Sequence, residues 1–158
     1  MKENIILILP DIRSALNVGA IFRTADAVGI NKIYLAGYTP TPEDKFGRIQ
    51  KDIAKSALGA EKTVLWEYKK TLIPLISKFK KEGYFVIAIE QAKNSVDYKN
   101  IKIKKEKIVF IVGTEVSGLP ENILKKCDAI AEIPMKGEKE SLNVSVATGI
   151  ALFRILNV

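Results

Sequence analysis

Three segments of the 158-residue chain place a polar side chain, a glycine or proline and a charge within a few positions of one another. The first, Asn17-Val18-Gly19-Ala20-Ile21-Phe22-Arg23, offers an amide, a permissive backbone position and then a guanidinium. The second, Gly113-Thr114-Glu115-Val116-Ser117-Gly118-Leu119-Pro120, brackets a carboxylate with two glycines. Backbone there can approach a ligand closely while one anionic group sits at the mouth. No Gly-Lys-Ser/Thr follows, and a central glutamate repels phosphate, so a neutral or cationic ligand suits this loop better than a nucleotide triphosphate. The third runs from Ile133-Pro134-Met135 through a charged stretch to Ser141-Leu142-Asn143-Val144-Ser145. Each segment also has a bland reading. Arg23 and Asp26 stand i,i+3 for a surface ion pair, Glu115 fits a solvated turn, and Ser141 or Asn143 can cap a helix. Capping explains one polar residue of the third segment but not the cluster.

The elements that must carry these segments follow from the apolar pattern. Short apolar runs alternate with helical stretches, which points to parallel strands joined by crossover helices, an α/β fold with a mostly parallel sheet. Ile5–Leu9, Lys32–Ala36, Val64–Tyr68, Phe85–Ile89, Ile108–Val112 and Ala129–Ile133 are the expected strands. Val18, Ile21, Phe22, Ala25 and Val28 mark a helix capped by Gly29, and Leu72, Leu75, Ile76 and Phe79 mark one face of another. Residues 38–50, with Pro40, Pro42 and several charges, form an exposed loop before a short helix ending near Leu58-Gly59-Ala60. The last helix, Val144–Val158, is apolar around most of its circumference and must be buried on more than one side. One side facing the sheet and the other a second copy of the chain accounts for that and favours a twofold dimer over the alternative, a core helix in a monomer. In open α/β sheets ligands bind beyond the carboxyl ends of the strands, where all three segments fall.

Composition removes whole classes of chemistry. With no histidine, no imidazole base or histidine-ligated metal is available, and the lone Cys127 cannot form an intrachain disulfide. Cys127 is expected to be an inert, partly buried thiol at a helix end. Hydrophobic residues make up 47% of the chain, enough for a full core in one domain over residues 1–158. No apolar run approaches the roughly 18 residues of a membrane span, and the N-terminus is too short for a signal peptide. A cytoplasmic protein is expected.

Taken in order, the three segments resemble motifs one, two and three of the SPOUT superfamily, specifically its SpoU/TrmH-type RNA 2′-O-ribose methyltransferases. The likeness rests on Asn17-x-Gly19-x-x-x-Arg23, on Gly113-x-Glu115-x-x-Gly118-Leu119, and on Ile133-Pro134-Met135 followed by Ser141-Leu142-Asn143-Val144-Ser145. It covers nearly the whole chain, and Leu58-Gly59-Ala60 resembles that family too. The resemblance implies a C-terminal trefoil knot, an arrangement that the general rule of unknotted connections would not suggest. It implies a homodimer, and S-adenosyl-L-methionine held in the knot mainly by backbone around Ile89, Gly113, Ile133, Met135 and Leu142. The implied reaction is attack of a ribose 2′-hydroxyl on the sulfonium methyl carbon, giving a 2′-O-methyl nucleotide and S-adenosylhomocysteine, with no metal. It makes Arg23 the base, but guanidinium groups do not give up their proton in proteins. Stabilising the developing alkoxide suits Arg23 better, with Asn17, Glu115, Ser141 and Asn143 positioning Arg23 or the ribose.

RNA, either tRNA or rRNA, fits the charge balance, since 25 Lys+Arg against 18 Asp+Glu leave a formal net charge of +7. Lysine runs such as Lys102–Lys107 read as solvated faces, whereas Arg13, Lys45 and Arg48 sit in loops beside the expected pocket. The length leaves no room for an added RNA-binding domain, so the catalytic domain itself must recognise substrate. A non-catalytic RNA-binding or ribosome-assembly module with the same fold is the competing reading. Asn17, Arg23, Glu115, Ser141 and Asn143 together favour the enzyme.

Overall fold

Ile5-Ile6-Leu7-Ile8-Leu9 has no polar side to turn outward, and strand β1 (Asn4–Pro10) accordingly lies inside a seven-stranded sheet. The computed structural model describes residues 4–114 and 116–158. Six further strands complete the sheet: β2 (Lys32–Ala36), β3 (Leu65–Lys69), β4 (Phe85–Ile89), β5 (Val96–Asp97), β6 (Lys107–Val112) and β7 (Ala129–Glu132). Their spatial order is β3-β2-β1-β6-β4-β7-β5, and every pairing is parallel. The six strands expected from the sequence are all present. The two-residue β5, which pairs with Ala131 and Glu132, has no apolar run to announce it.

Alternate residues of the central strands feed two cores. Ile5, Leu7 and Leu9 join Ile87 and Phe110 on one face, while Ile6 and Ile8 join Val86 and Ile111 on the other. Helix α1 (Ala15–Val28) and the C-terminal α6 (Val144–Leu156) cover the first face. Helix α4 (Ile73–Lys81) and the short α5 (Glu121–Leu124) cover the second. Ser14 caps α1 by accepting from the Asn17 N–H (3.1 Å), and Gly29 ends it in the left-handed region. Helix α2 (Lys51–Ala57) lies so close to α1 that a Cβ on Gly19 would strike Ser56 and the Ile53 carbonyl. Packing alone therefore requires the glycine of the first segment. The four-residue α3 (Ala60–Thr63) leads into β3.

Cys127 is half-buried, its thiol 3.4 Å from the Ile123 carbonyl, and burial pushes its pKa up to about 11, so it is an unreactive thiol. Helix α6 turns Thr148, Ala151, Leu152 and Ile155 inward and leaves Val146, Ile150 and Phe153 exposed. Among the described residues no helix is long and apolar enough to cross a membrane.

Candidate active site

The carboxyl ends of β4, β6 and β7 and the first turn of α6 enclose a cavity of about 420 Å³. Ile89, Gly113, Ile133, Met135 and Leu142, the five residues expected around a methyl donor, all line it. Asn17, Ser141 and Asn143 line it as well, so segments far apart in sequence converge on one space. Its walls are apolar at Ile89, Val112, Ala131 and Ile133, and polar towards the N-terminal ends of α1 and α6.

Glu90 organises the wall between β4 and β6. Its Oε2 accepts from the Leu119 N–H (3.0 Å) and its Oε1 from the Gln91 N–H (2.9 Å). The carboxylate occupies the space that a Cβ on Gly113 or Gly118 would need. Gly118 also has φ +69°, a conformation that L side chains rarely adopt. The sequence reading reserved the space beside these glycines for a ligand, and the structure fills it with the Glu90 side chain. Gly113 still borders the cavity. Sequence reasoning placed Glu90 beside Ile89 only as a strand end, with no role for its side chain, and did not name Gln91. A glutamate directly after the fully buried run Phe85–Ile89 was the available signal.

Asn143 joins the first and third segments. Its Oδ1 accepts from the Ser145 N–H (2.9 Å) and hydroxyl (2.6 Å), which caps α6, and its Nδ2 donates to Asn17 Oδ1 (3.2 Å). A Cβ on Gly149 would lie 3.6 Å from Thr24 Cγ2. Asn17 with Asn143 and Thr24 with Gly149 thus pair in the same order, so α1 and α6 run side by side in parallel. Both N-terminal ends point at the cavity mouth, where their partial positive charge favours electron-rich groups.

The remaining expected residues are placed apart from the cavity wall. Arg23 lies on the exposed side of α1 and does not line the cavity. Among the described residues its i,i+3 ion pair with Asp26 is not formed, and Asp26 accepts instead from the Thr63 hydroxyl (3.0 Å). Arg13 is exposed just before α1, and Lys45 and Arg48 are exposed in the 38–50 loop. Glu115 lies outside the described residues.

Comparison with known proteins follows the same lines. A model of the SpoU rRNA Methylase family matches residues 4–153. The tRNA (guanosine(18)-2′-O)-methyltransferase of Aquifex aeolicus is 34% identical over 152 residues, which are 96% of this chain and 68% of that protein. Among solved structures, an AdoMet-bound rRNA methyltransferase from Sinorhizobium meliloti superposes with a TM-score of 0.88 at 31% identity, over 99% of this chain and 57% of that one. The A. aeolicus TrmH/SpoU tRNA modifying enzyme gives 0.83 at 31% identity, over 98% and 75%. The chain therefore spans between somewhat over half and three quarters of the length of these relatives.

Proposed function

The chain belongs to the SpoU rRNA Methylase family, and on that premise we propose that it transfers a methyl group from S-adenosyl-L-methionine to a ribose 2′-hydroxyl of tRNA or rRNA. The observation that carries this reading is the hydrogen bond between Asn17 and Asn143 at the mouth of a cavity walled by Ile89, Gly113, Ile133, Met135 and Leu142. A volume of about 420 Å³ falls within the range of small-molecule sites. The residues present fit the donor: apolar side chains suit a flat adenine, backbone at Gly113 suits its polar edge, and Glu90 tolerates a sulfonium where it would repel phosphate. When bound, S-adenosyl-L-methionine supplies a methyl carbon made electrophilic by its positive sulfur.

The chain's own residues do the rest. Asn17 and Asn143, locked to each other, orient the ribose edge at the cavity mouth together with Ser141. Glu115 belongs to this group by its place in the second motif. Arg23 donates to the 2′-oxygen as that atom releases its proton to solvent at the cavity mouth and gains negative charge, a role that is strongest where little other water is present. In a single chain Arg23 is exposed, as are Leu16 on α1 and Val146, Ile150 and Phe153 on α6. A second copy packed on this apolar face supplies the missing cover, so the enzyme acts as a homodimer through α6. Arg13, Lys45 and Arg48 take RNA phosphates.

A C-terminal trefoil knot belongs to the same proposal. Its support is the insertion of β7 between β4 and β5, with α6 returning to pack on α1, β4 and the 3-10 turn Tyr98–Asn100. The function is tested by incubating the protein with methyl-labelled donor and purified tRNA or rRNA, then hydrolysing in alkali. Label in alkali-stable dinucleotides is the expected result. Label on bases, or none on either RNA, would overturn the proposal.

A further inference from the structure

The segment between β2 and α2 holds two aromatic rings in solvent, Tyr38 at its root and Phe46 near its tip, and the Phe46 ring stands on a rigid support. Its root is tied to the sheet: the buried Thr39 hydroxyl donates to the Leu9 carbonyl (2.8 Å) and accepts from the Ile12 N–H (3.0 Å). Gln50 closes the far end by donating its N–H to the Pro42 carbonyl (2.9 Å). Inside the loop, Asp44 Oδ1 accepts from the Phe46 N–H (2.8 Å) and the Arg48 N–H (3.0 Å), while Oδ2 takes Arg48 Nε (2.6 Å). Glu43 and Ile49 pair across the turn.

A loop pinned in this way has the means to tuck its apolar residues inward, yet Phe46 is 70% and Ile49 64% exposed. The Lys45 ammonium and the Arg48 guanidinium each lie 5.1 Å from the centroid of the Phe46 ring. Stability does not account for this. An exposed cation–π contact contributes less than burying the phenylalanine side chain would. The two cations also behave differently. Arg48 is fixed by Asp44, while Lys45 has no ion pair among the described residues and its ammonium can swing to a phosphate, uncovering the ring.

We propose that this loop is a stacking platform for an unpaired nucleobase of the RNA, with the base on Phe46 and the flanking phosphates on Lys45 and Arg48. The inference rests on the RNA methyl-transfer reading and deepens it by naming the form of RNA that is gripped. Duplex RNA keeps its base faces inside the stack, so a ring presented on an exposed loop meets a base only where the strand is open. Stacking on an aromatic side chain tolerates any base, while the cations track the backbone.

The test uses the full chain and fluorescence anisotropy with a labelled uridine-rich single strand of about 12 nucleotides and a labelled RNA duplex of the same length. Phe46→Ala is expected to weaken single-strand binding about 5- to 100-fold, in line with base stacking. Phe46→Tyr should bind like the parent protein, and duplex binding should stay within about twofold throughout. Unchanged single-strand affinity in Phe46→Ala, equal losses for strand and duplex, or failure of Phe46→Tyr would overturn the platform. So would a poly-glutamate peptide whose binding falls as far as that of the strand in Phe46→Ala, which would assign the loop to an acidic protein. The two readings fail separately. A protein that grips the strand through Phe46 yet moves no methyl group refutes the methyl-transfer reading alone. One that methylates RNA with an unchanged KM for RNA in Phe46→Ala refutes the platform alone.

Discussion

Two carboxylates at the carboxyl edge of the sheet work in the same way on opposite sides of the β1–β6 pair. Asp11, one residue past β1, accepts from the Tyr38 N–H (3.0 Å) and fills the space of a Cβ on Gly37. Glu90, one residue past β4, accepts from the Leu119 N–H (3.0 Å) and fills the space of a Cβ on Gly113. In each case a short acidic side chain crosses to the loop leaving a neighbouring strand and fixes where that loop departs. The outcomes diverge after that point. Beyond Gly37 the chain makes a charged excursion with Phe46, Lys45 and Arg48 outward, whereas Gly113 and Thr114 help to wall the cavity. On the proposed reading one anchoring device serves two tasks, gripping a polymer on one side and enclosing a small donor on the other.

If that division holds, substitutions should separate turnover, donor affinity and RNA affinity. The largest effect is expected at Arg23, which lies on α1 between the two halves and belongs to neither anchor. Arg23→Ala should lower single-turnover methyl transfer on the order of 10²–10³-fold, the loss typical of one preorganised donor. Donor affinity by calorimetry and RNA affinity by anisotropy should both remain, and loss of donor binding would place Arg23 in the wrong half. Next comes Gly113→Val, which drives side-chain atoms into the Glu90 carboxylate beside the cavity. Overpacking of this kind costs about 1–3 kcal/mol, so donor affinity should fall up to about 100-fold while RNA affinity is retained.

The mirror experiment is Gly37→Ala. Gly37 has φ +64°, and a side chain there both strains the backbone and displaces Asp11. A cost of about 1–2 kcal/mol at the root of the loop should weaken RNA binding roughly 5- to 30-fold and leave the donor titration unchanged. Equal effects on both ligands would mean that the two halves are one cooperative site.

How far the sequence revealed this arrangement differs between the halves. The strands were legible because runs such as Phe85–Ile89 and Ile108–Val112 are apolar on both sides. The family resemblance pointed to Ile89, Gly113, Ile133, Met135 and Leu142, which all line the cavity, and Asn143 was legible because a cap precedes an apolar helix. Glu90 was not, since its role depends on β4 lying beside β6, a pairing that no local pattern encodes. Asp11 was hidden for the same reason. The 38–50 segment announced itself only as an exposed loop. Its internal order comes from Asp44 reaching two and four residues ahead, and its tie to the sheet from Thr39 reaching back to Leu9, a contact set by the fold of β1 against β2.

The smallest effect concerns the ion-paired Lys32, Glu67 and Lys69 side chains on the β2–β3 edge. Lys32 and then Lys69 donate hydrogen bonds to the Glu67 carboxylate, 2.8 Å each, and hold its pKa down at about 2 from its ordinary 4.5. A folded value below the unfolded one means that the contribution is complete above pH about 4.5 and is lost as the pH falls towards 2. Glu67→Gln should therefore lower the melting temperature by about 1–3 °C near neutral pH, as a partly exposed pair allows. The gap should close on acidification. Neither ligand affinity should change, and a change in either would extend the comparison to this edge.

The most direct measurement is a crystal structure of the chain with S-adenosylhomocysteine, the product left after methyl transfer. The expected density lies between Ile89, Gly113, Ile133 and Leu142, with the Asn17–Asn143 hydrogen bond at its edge. The sheet offers a rival location, a cavity of about 270 Å³ bordered by Asp11, Thr71 and Asn122 beyond the ends of β1 and β6. Density there, with the cavity beside Gly113 empty, would contradict the assignment of the donor site.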